Sequence, residues 1–161
     1  MDVYLGLGTN QGDKLKNLKN AVNALAASCG NVICKSSVYE SPPWGFIAEE
    51  VFYNSVVLIK TKLLPDELLS ACQQIEIELG RKKKKELGYE SRLLDIDILL
   101  YDDIVFESEY LKIPHPLIND RMFVLQPLLE LLKMEDKELE GYYKTKLSLC
   151  NDKSVLKIVQ T

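Results

Sequence analysis

A chain of 161 residues, 47% hydrophobic and 27% charged, suits one compact domain, so residues 1–161 are expected to fold as a single unit. Its net charge of −4 argues against nucleic acid as the main partner, because backbone binding there draws on many positive charges. The opening Met-Asp-Val-Tyr lacks a basic, then apolar leader and no apolar run approaches membrane-spanning length, so a cytoplasmic protein with no membrane partner is expected.

"VYLGLG", Val3 to Gly8, reads as a buried strand. "TNQGD" then turns into a helix running to about Ser28, with Leu15, Leu18, Val22 and Leu25 on one face. Gly8 and Gly12 are read as residues of that tight turn, since the stretch has neither GxGxxG spacing nor a Gly-Lys-Ser/Thr ending. "NVICKSSVYE" reads as a second strand, "SPPWGFIAEE" as a loop stiffened by Pro42 and Pro43, and "FYNSVVLIKT" as a third strand. Pro65 opens a second helix that stops at Gly80. A basic loop, "GRKKKKELGYESR", leads into the fourth strand, "LLDIDILL". The order β-α-β-β-α-β predicts an α+β, ferredoxin-like sandwich: an antiparallel sheet with both helices on one face, plus a C-terminal extension. In that extension "YDDIVFESEYLKIPHP" predicts a small hairpin or loop, "NDRMFVLQPLLELL" a short helix interrupted near Pro127, and the remainder a strand and tail.

The fourth strand carries the chemistry. Alternation puts Leu94, Ile96, Ile98 and Leu100 on one apolar face and Asp95 with Asp97 on the other, their Cα atoms roughly 7 Å apart. Like charges so close on a half-buried strand call for water or a cation. The adjoining loop holds Arg81, Lys82, Lys83, Lys84, Lys85 and Arg92. Cationic loop beside paired carboxylates offers one set of contacts for phosphate oxygens and another for the metal ion that accompanies them. Cys29, Cys34, Cys72 and Cys150 have neither CxxC spacing nor histidine partners, and read as reduced, packed thiols. His115, the sole histidine, lies between Pro114 and Pro116 and decides nothing alone.

The succession "YLGLGTNQGD", "YESPPWG", "FYN", "GR", "RLLDIDILLYD", "IPHP" and "NDRMFVLQPL" resembles the 6-hydroxymethyl-7,8-dihydropterin pyrophosphokinases of folate biosynthesis, from the first strand to about Leu132. The resemblance implies transfer of the β,γ-pyrophosphoryl group of ATP to the pterin hydroxymethyl oxygen, with release of AMP. It implies that Asp95 and Asp97 hold two magnesium ions, and that Arg81, Lys83 and Arg92 join them in catalysis. His115 and Arg121 are similar in position to the family's other phosphate contacts, each expected to neutralise charge. Gln73, Glu76, Tyr89, Ile98 and Lys112 match positions near the nucleotide. For the pterin, Phe52 and Phe123 match the aromatics that sandwich the ring, Asn54 and Asp95 match groups at its edge, and Ser41, Pro42, Pro43, Trp44 and Gly45 match the loop lining the pocket.

This chain has Tyr89 where the family usually has tryptophan in the loop, one extra residue there, and Tyr110 and Lys112 where some members carry arginine and threonine. Two other classes share the topology: an RNA-recognition domain, whose Lys/Arg-Gly-Phe-Gly-Phe strand is missing here, and a sensor domain that binds without turnover. The expected partners are ATP and the pterin. A monomer is expected, with neighbouring folate-pathway enzymes as candidate associates.

Overall fold

The computed structural model describes residues 1–45, 50–80 and 93–159. Their order is β1 (Asp2–Thr9), α1 (Lys14–Ser28), β2 (Asn31–Lys35), β3 (Val38–Ser41), β4 (Phe52–Lys60), α2 (Pro65–Glu78), β5 (Asp95–Tyr101), β6 (Phe106–Glu107), β7 (Lys112–Ile113), a 3-10 turn (Ile118–Asp120), α3 (Met122–Glu135), α4 (Lys137–Leu149) and β8 (Lys157–Val159). The described strands form an antiparallel sheet in the order β5-β1-β4-β3-β8, with β2 also on β4, and β6 pairs with β7 apart from it.

β1 explains the two layers. Val3, Leu5 and Leu7 point to one face and meet Leu18, Ala21 and Leu25 of α1 and Leu68, Cys72 and Ile75 of α2. Tyr4 points to the other, into a second core with Val56 and Leu58 of β4 and Val124, Leu125, Leu128, Leu131 and Leu132 of α3. The expected helices on one face are there; the C-terminal extension brings α3 and α4 to part of the opposite face. Helix α1 begins where the Asp13 carboxylate accepts from the Lys16 N–H at 3.1 Å. Leu15, expected on its apolar face, is 37% exposed in the first turn, and Ala21 is buried instead.

The expected second strand divides at Ser36 and Ser37. The Ser36 hydroxyl accepts the Val56 N–H and donates to the Ser37 carbonyl, and side chains that bond locally to backbone interrupt a ladder. The interruption expected at Pro127 is absent, and α3 runs through it. A proline inside a helix costs about 3 kcal/mol. Burying each of five Leu or Val side chains is worth about 1.5–3 kcal/mol, so packing prevails. The tail holds a helix, α4, that apolar periodicity does not announce; Asp136 caps it, accepting from Glu138 and Leu139 N–H. Leu100 is also reassigned: a register shift opposite Tyr4/Leu5 turns Leu99 and Leu100 both toward α3, and Tyr101 back toward α1 and α2. Among the described residues no helix is long and apolar enough to cross a membrane.

Candidate active site

The face that α3 covers at the Tyr4 end is left without large side chains at the other end of β1, because Gly6 and Gly8 follow Tyr4 in alternation. Gly8 is a strand residue paired with both Asn54 and Asp95, correcting its assignment to the turn, where Gly12 sits with φ +61°. Gly6 pairs with Val56 and Asp97. Gly8 therefore floors a trough between Asn54 on β4 and the carboxylates of Asp95 and Asp97 on β5, and Gly6 makes room for the Leu99 side chain at its end. The alternation that sets the aspartates apart from Leu94, Ile96 and Ile98 holds: those three are buried in the α1/α2 core, while the aspartates are partly exposed.

The walls come from β3, β4 and the start of α3. The buried Asn54 amide donates to the Ser41 hydroxyl at 2.8 Å. Phe52 shares the trough face of β4 with Asn54, two residues away. After β3, the Ser41–Gly45 segment brings Trp44 edge-on to Phe123, ring centroids 6.4 Å apart at 65°. Arg121, 8% exposed at the N-terminus of α3, lies 4.9 Å from the Trp44 ring centroid and 5.7 Å from that of Phe123. Its Nη1 is 3.7 Å from the Asp97 carboxylate. A guanidinium stacked on two aromatics and paired to an acid is a fixed cation aimed along the trough.

Along the outer edge of β5 runs a second concavity, of ≈ 340 Å³, lined by Leu69 of α2, Ile96, Asp97 and Ile98 of β5, Ser108–Lys112, His115 and Pro116. Asp97 borders both. Lys112 reaches it while paired to Glu107 at 2.6 Å.

His115 is held on two sides: its N–H donates to Leu99 O at 2.9 Å, and its Nδ1 accepts from Leu117 N–H at 3.2 Å, which leaves the proton of the neutral ring on Nε2. Burial first, then the Arg121 guanidinium, pull its pKa down to about 4, against an upward pull from Asp95. In the ligand-free protein at neutral pH it is therefore an uncharged hydrogen-bond donor.

Gln73 is exposed on α2. Glu76 is 2% exposed, and its carboxylate accepts from the Ile96 N–H at 2.7 Å. Its visible role is to hold β5 between the two aspartates. Arg81, Lys83, Tyr89 and Arg92, with the rest of the basic loop, lie outside the described residues. Gly6 and Gly8 escaped the sequence reading as site-shaping residues, and Glu76, expected near the nucleotide, was not read there as a brace for β5. Strict alternation in "YLGLG" was the signal for the glycines.

Among the described residues no three His, Cys, Asp or Glu side chains gather to hold a metal. Two neighbouring carboxylates without a third protein ligand fit magnesium, which binds through one or two carboxylates and keeps its other positions for water and phosphate oxygens.

Residues 4–133 match the family model described as 7,8-dihydro-6-hydroxymethylpterin-pyrophosphokinase (HPPK). This chain belongs to the HPPK family. It is similar to the 2-amino-4-hydroxy-6-hydroxymethyldihydropteridine pyrophosphokinase of Methylorubrum extorquens, 43% identical over 80% of this chain and 80% of the relative. It is similar also to the enzyme of the same name from Aquifex aeolicus, at 44% over 80% of this chain and 79% of the relative. A Plasmodium falciparum HPPK-DHPS structure with pterin and p-hydrobenzoate superposes with a TM-score of 0.66 at 15% identity, over 99% of this chain and 48% of that chain. The chain thus spans about half the length of that HPPK-DHPS protein, a likeness in fold. The HPPK match supplies the activity class, a pyrophosphokinase of folate biosynthesis that uses ATP. It stops short of α4 and β8.

Proposed function

We propose that the glycine-floored trough binds 6-hydroxymethyl-7,8-dihydropterin, that the concavity beside β5 takes ATP, and that pyrophosphoryl transfer occurs where the two meet, at Asp97. The observation that carries this reading is the Asp95/Asp97 pair, aimed from a core strand into the trough with Arg121 Nη1 3.7 Å from Asp97.

The hydroxymethyl oxygen attacks the β-phosphorus, the bond from that phosphorus to the oxygen of the AMP portion breaks with its electron pair leaving on AMP, and the hydroxyl proton is released to solvent water. Negative charge spreads over the transferred group and the leaving oxygen, so alignment and electrostatic stabilisation do most of the catalysis. Asp95 and Asp97 would hold two magnesium ions, which supply charge neutralisation on the phosphates and lower the pKa of the attacking hydroxyl. Arg121 gives the transferred group a desolvated cation. His115 offers Nε2–H to a phosphate oxygen without changing the net charge. Phe123 and Phe52 take the faces of the pterin, Asn54 its edge, with Ser41 orienting the Asn54 amide; Pro42, Pro43, Trp44 and Gly45 close that end. Ile98 and Lys112 border the nucleotide. Gln73, Arg81, Lys83, Tyr89 and Arg92 complete the phosphate and nucleotide contacts in this reading, and Arg81, Lys83 and Arg92 add cations at the reacting phosphates. Glu76 acts through β5.

The protein works as a cytoplasmic monomer in this reading. Light scattering at assay concentration tests the monomer. The reaction is tested by AMP release from Mg-ATP with and without the pterin. Pterin-dependent AMP supports the assignment; binding of both ligands with no AMP makes the chain a sensor, and binding of neither removes the trough from the account.

A further inference from the structure

The first N–H groups of a helix need acceptors, and the residue before α3 is Arg121, whose side chain has none to offer. The acceptor comes from the far end of the chain. Asp152 Oδ2 takes the Met122 N–H at 3.0 Å, and its Oδ1 is fixed by the Ser154 N–H at 2.9 Å and by the Ser154 hydroxyl. A carboxylate at a helix N-terminus also complements the helix dipole. Met122 lies between Arg121 and Phe123, the two residues at the start of α3 that wall the trough.

The same segment fastens the opposite wall. Beyond Ser154 it becomes β8, pairing Lys157 with Glu40, Ile158 with Tyr39 and Val159 with Val38 on β3, which ends at Ser41. Glu130 ties α3 to β3 from within: its carboxylate accepts from the Ser37 N–H, the Ser37 hydroxyl and the Tyr39 hydroxyl, at 2.9, 3.0 and 2.8 Å. Residues 152–159 therefore bridge the start of α3 and residues Val38 to Glu40 of β3, outside the span of the HPPK match.

We propose that Asp152 is a positioning residue for the pterin site, and that the segment from Asp152 to β8 is a strap holding Arg121 and Phe123 in register with β3. This rests on the reading of the trough as the pterin site. With the strap cut at Asp152, the first turn of α3 frays, and only the fraction of molecules with Arg121 and Phe123 in place binds pterin.

The test compares Asp152→Ala and Asp152→Asn with wild type in the full chain, by calorimetric titration of pterin with a non-hydrolysable Mg-ATP analogue, Trp44 emission of the ligand-free protein, and thermal melting. Losing a helix cap predicts a rise in pterin Kd of more than twofold and up to roughly thirtyfold for the alanine variant. A red shift of Trp44 emission accompanies it as the Arg121 stack loosens. The asparagine variant, whose amide oxygen can still accept from Met122, recovers part of both. A lowered Tm with pterin Kd within twofold and an unchanged Trp44 spectrum overturns the inference and leaves Asp152 a stability residue. If the alanine variant does not fold, the asparagine variant and Ser154→Ala, which removes the hydroxyl bond to the carboxylate and keeps the N–H bond, carry the same comparison. Wild-type protein that binds no pterin overturns the trough reading itself; variants that match a binding wild type overturn only the strap.

Discussion

A β-carbon on Gly8 would stand 3.3 Å from the Oδ1 of Asn54, its partner across β1 and β4. That is closer than the amide accommodates without moving. Gly8 is in extended strand backbone, so alanine there meets no conformational strain. Gly8→Ala should change stability by less than about 1 kcal/mol, while disturbing the Asn54 contact weakens pterin binding about fivefold to tenfold. Calorimetry and a thermal melt on one preparation check both halves. Pterin binding equal to wild type would mean the glycine floor lies outside the site.

Phe123 faces the trough and is also partly buried against the α3 core. By analogy with base stacking, worth about 1–3 kcal/mol per ring, Phe123→Ala should raise pterin Kd roughly tenfold to a hundredfold and leave ATP binding nearly unchanged. Titrations of each ligand separate the roles. Equal losses for both would make Phe123 a packing residue.

The single histidine gives a one-signal pH readout. His115 has a folded pKa of about 4 against 6.5 in its absence of structure, so its contribution to stability is complete above pH 6.5 and is lost as pH falls toward 4. If the triphosphate lies beside it, added negative charge favours the protonated ring. Its imidazole resonance, followed by NMR, should then titrate near pH 4 in the free protein and at higher pH with a bound ATP analogue and magnesium. A midpoint unmoved by saturating nucleotide would take the phosphates away from His115.

Local rules made some features legible and not others. Alternation exposed the Asp95/Asp97 face because β5 is regular from Leu94 to Ile98; it misassigned Leu100, since the register shift depends on β1 rather than on β5 alone. Pro127 reads as a break because its missing N–H is local knowledge, whereas the leucines that outweigh it gain their energy only from Val56, Leu58 and Tyr4 on distant strands. Helix α4 carries Gly141 and few buried apolar residues, so its period is weak, though Asp136 is a readable cap. Glu76 has the look of a solvated helix residue until β5 is laid beside it. Asp152 is beyond any local rule: its partner, Met122, is 30 residues away.

The central claim is that the Asp95/Asp97 pair is the electrostatic heart of pyrophosphoryl transfer, and the direct measurement is pterin-dependent AMP release by Asp95→Asn and Asp97→Asn. The amide preserves shape and removes the charge that recruits magnesium, so turnover should fall roughly a thousandfold, about 4 kcal/mol of transition-state stabilisation, with the melting temperature kept. Turnover within threefold of wild type in both variants would contradict the account.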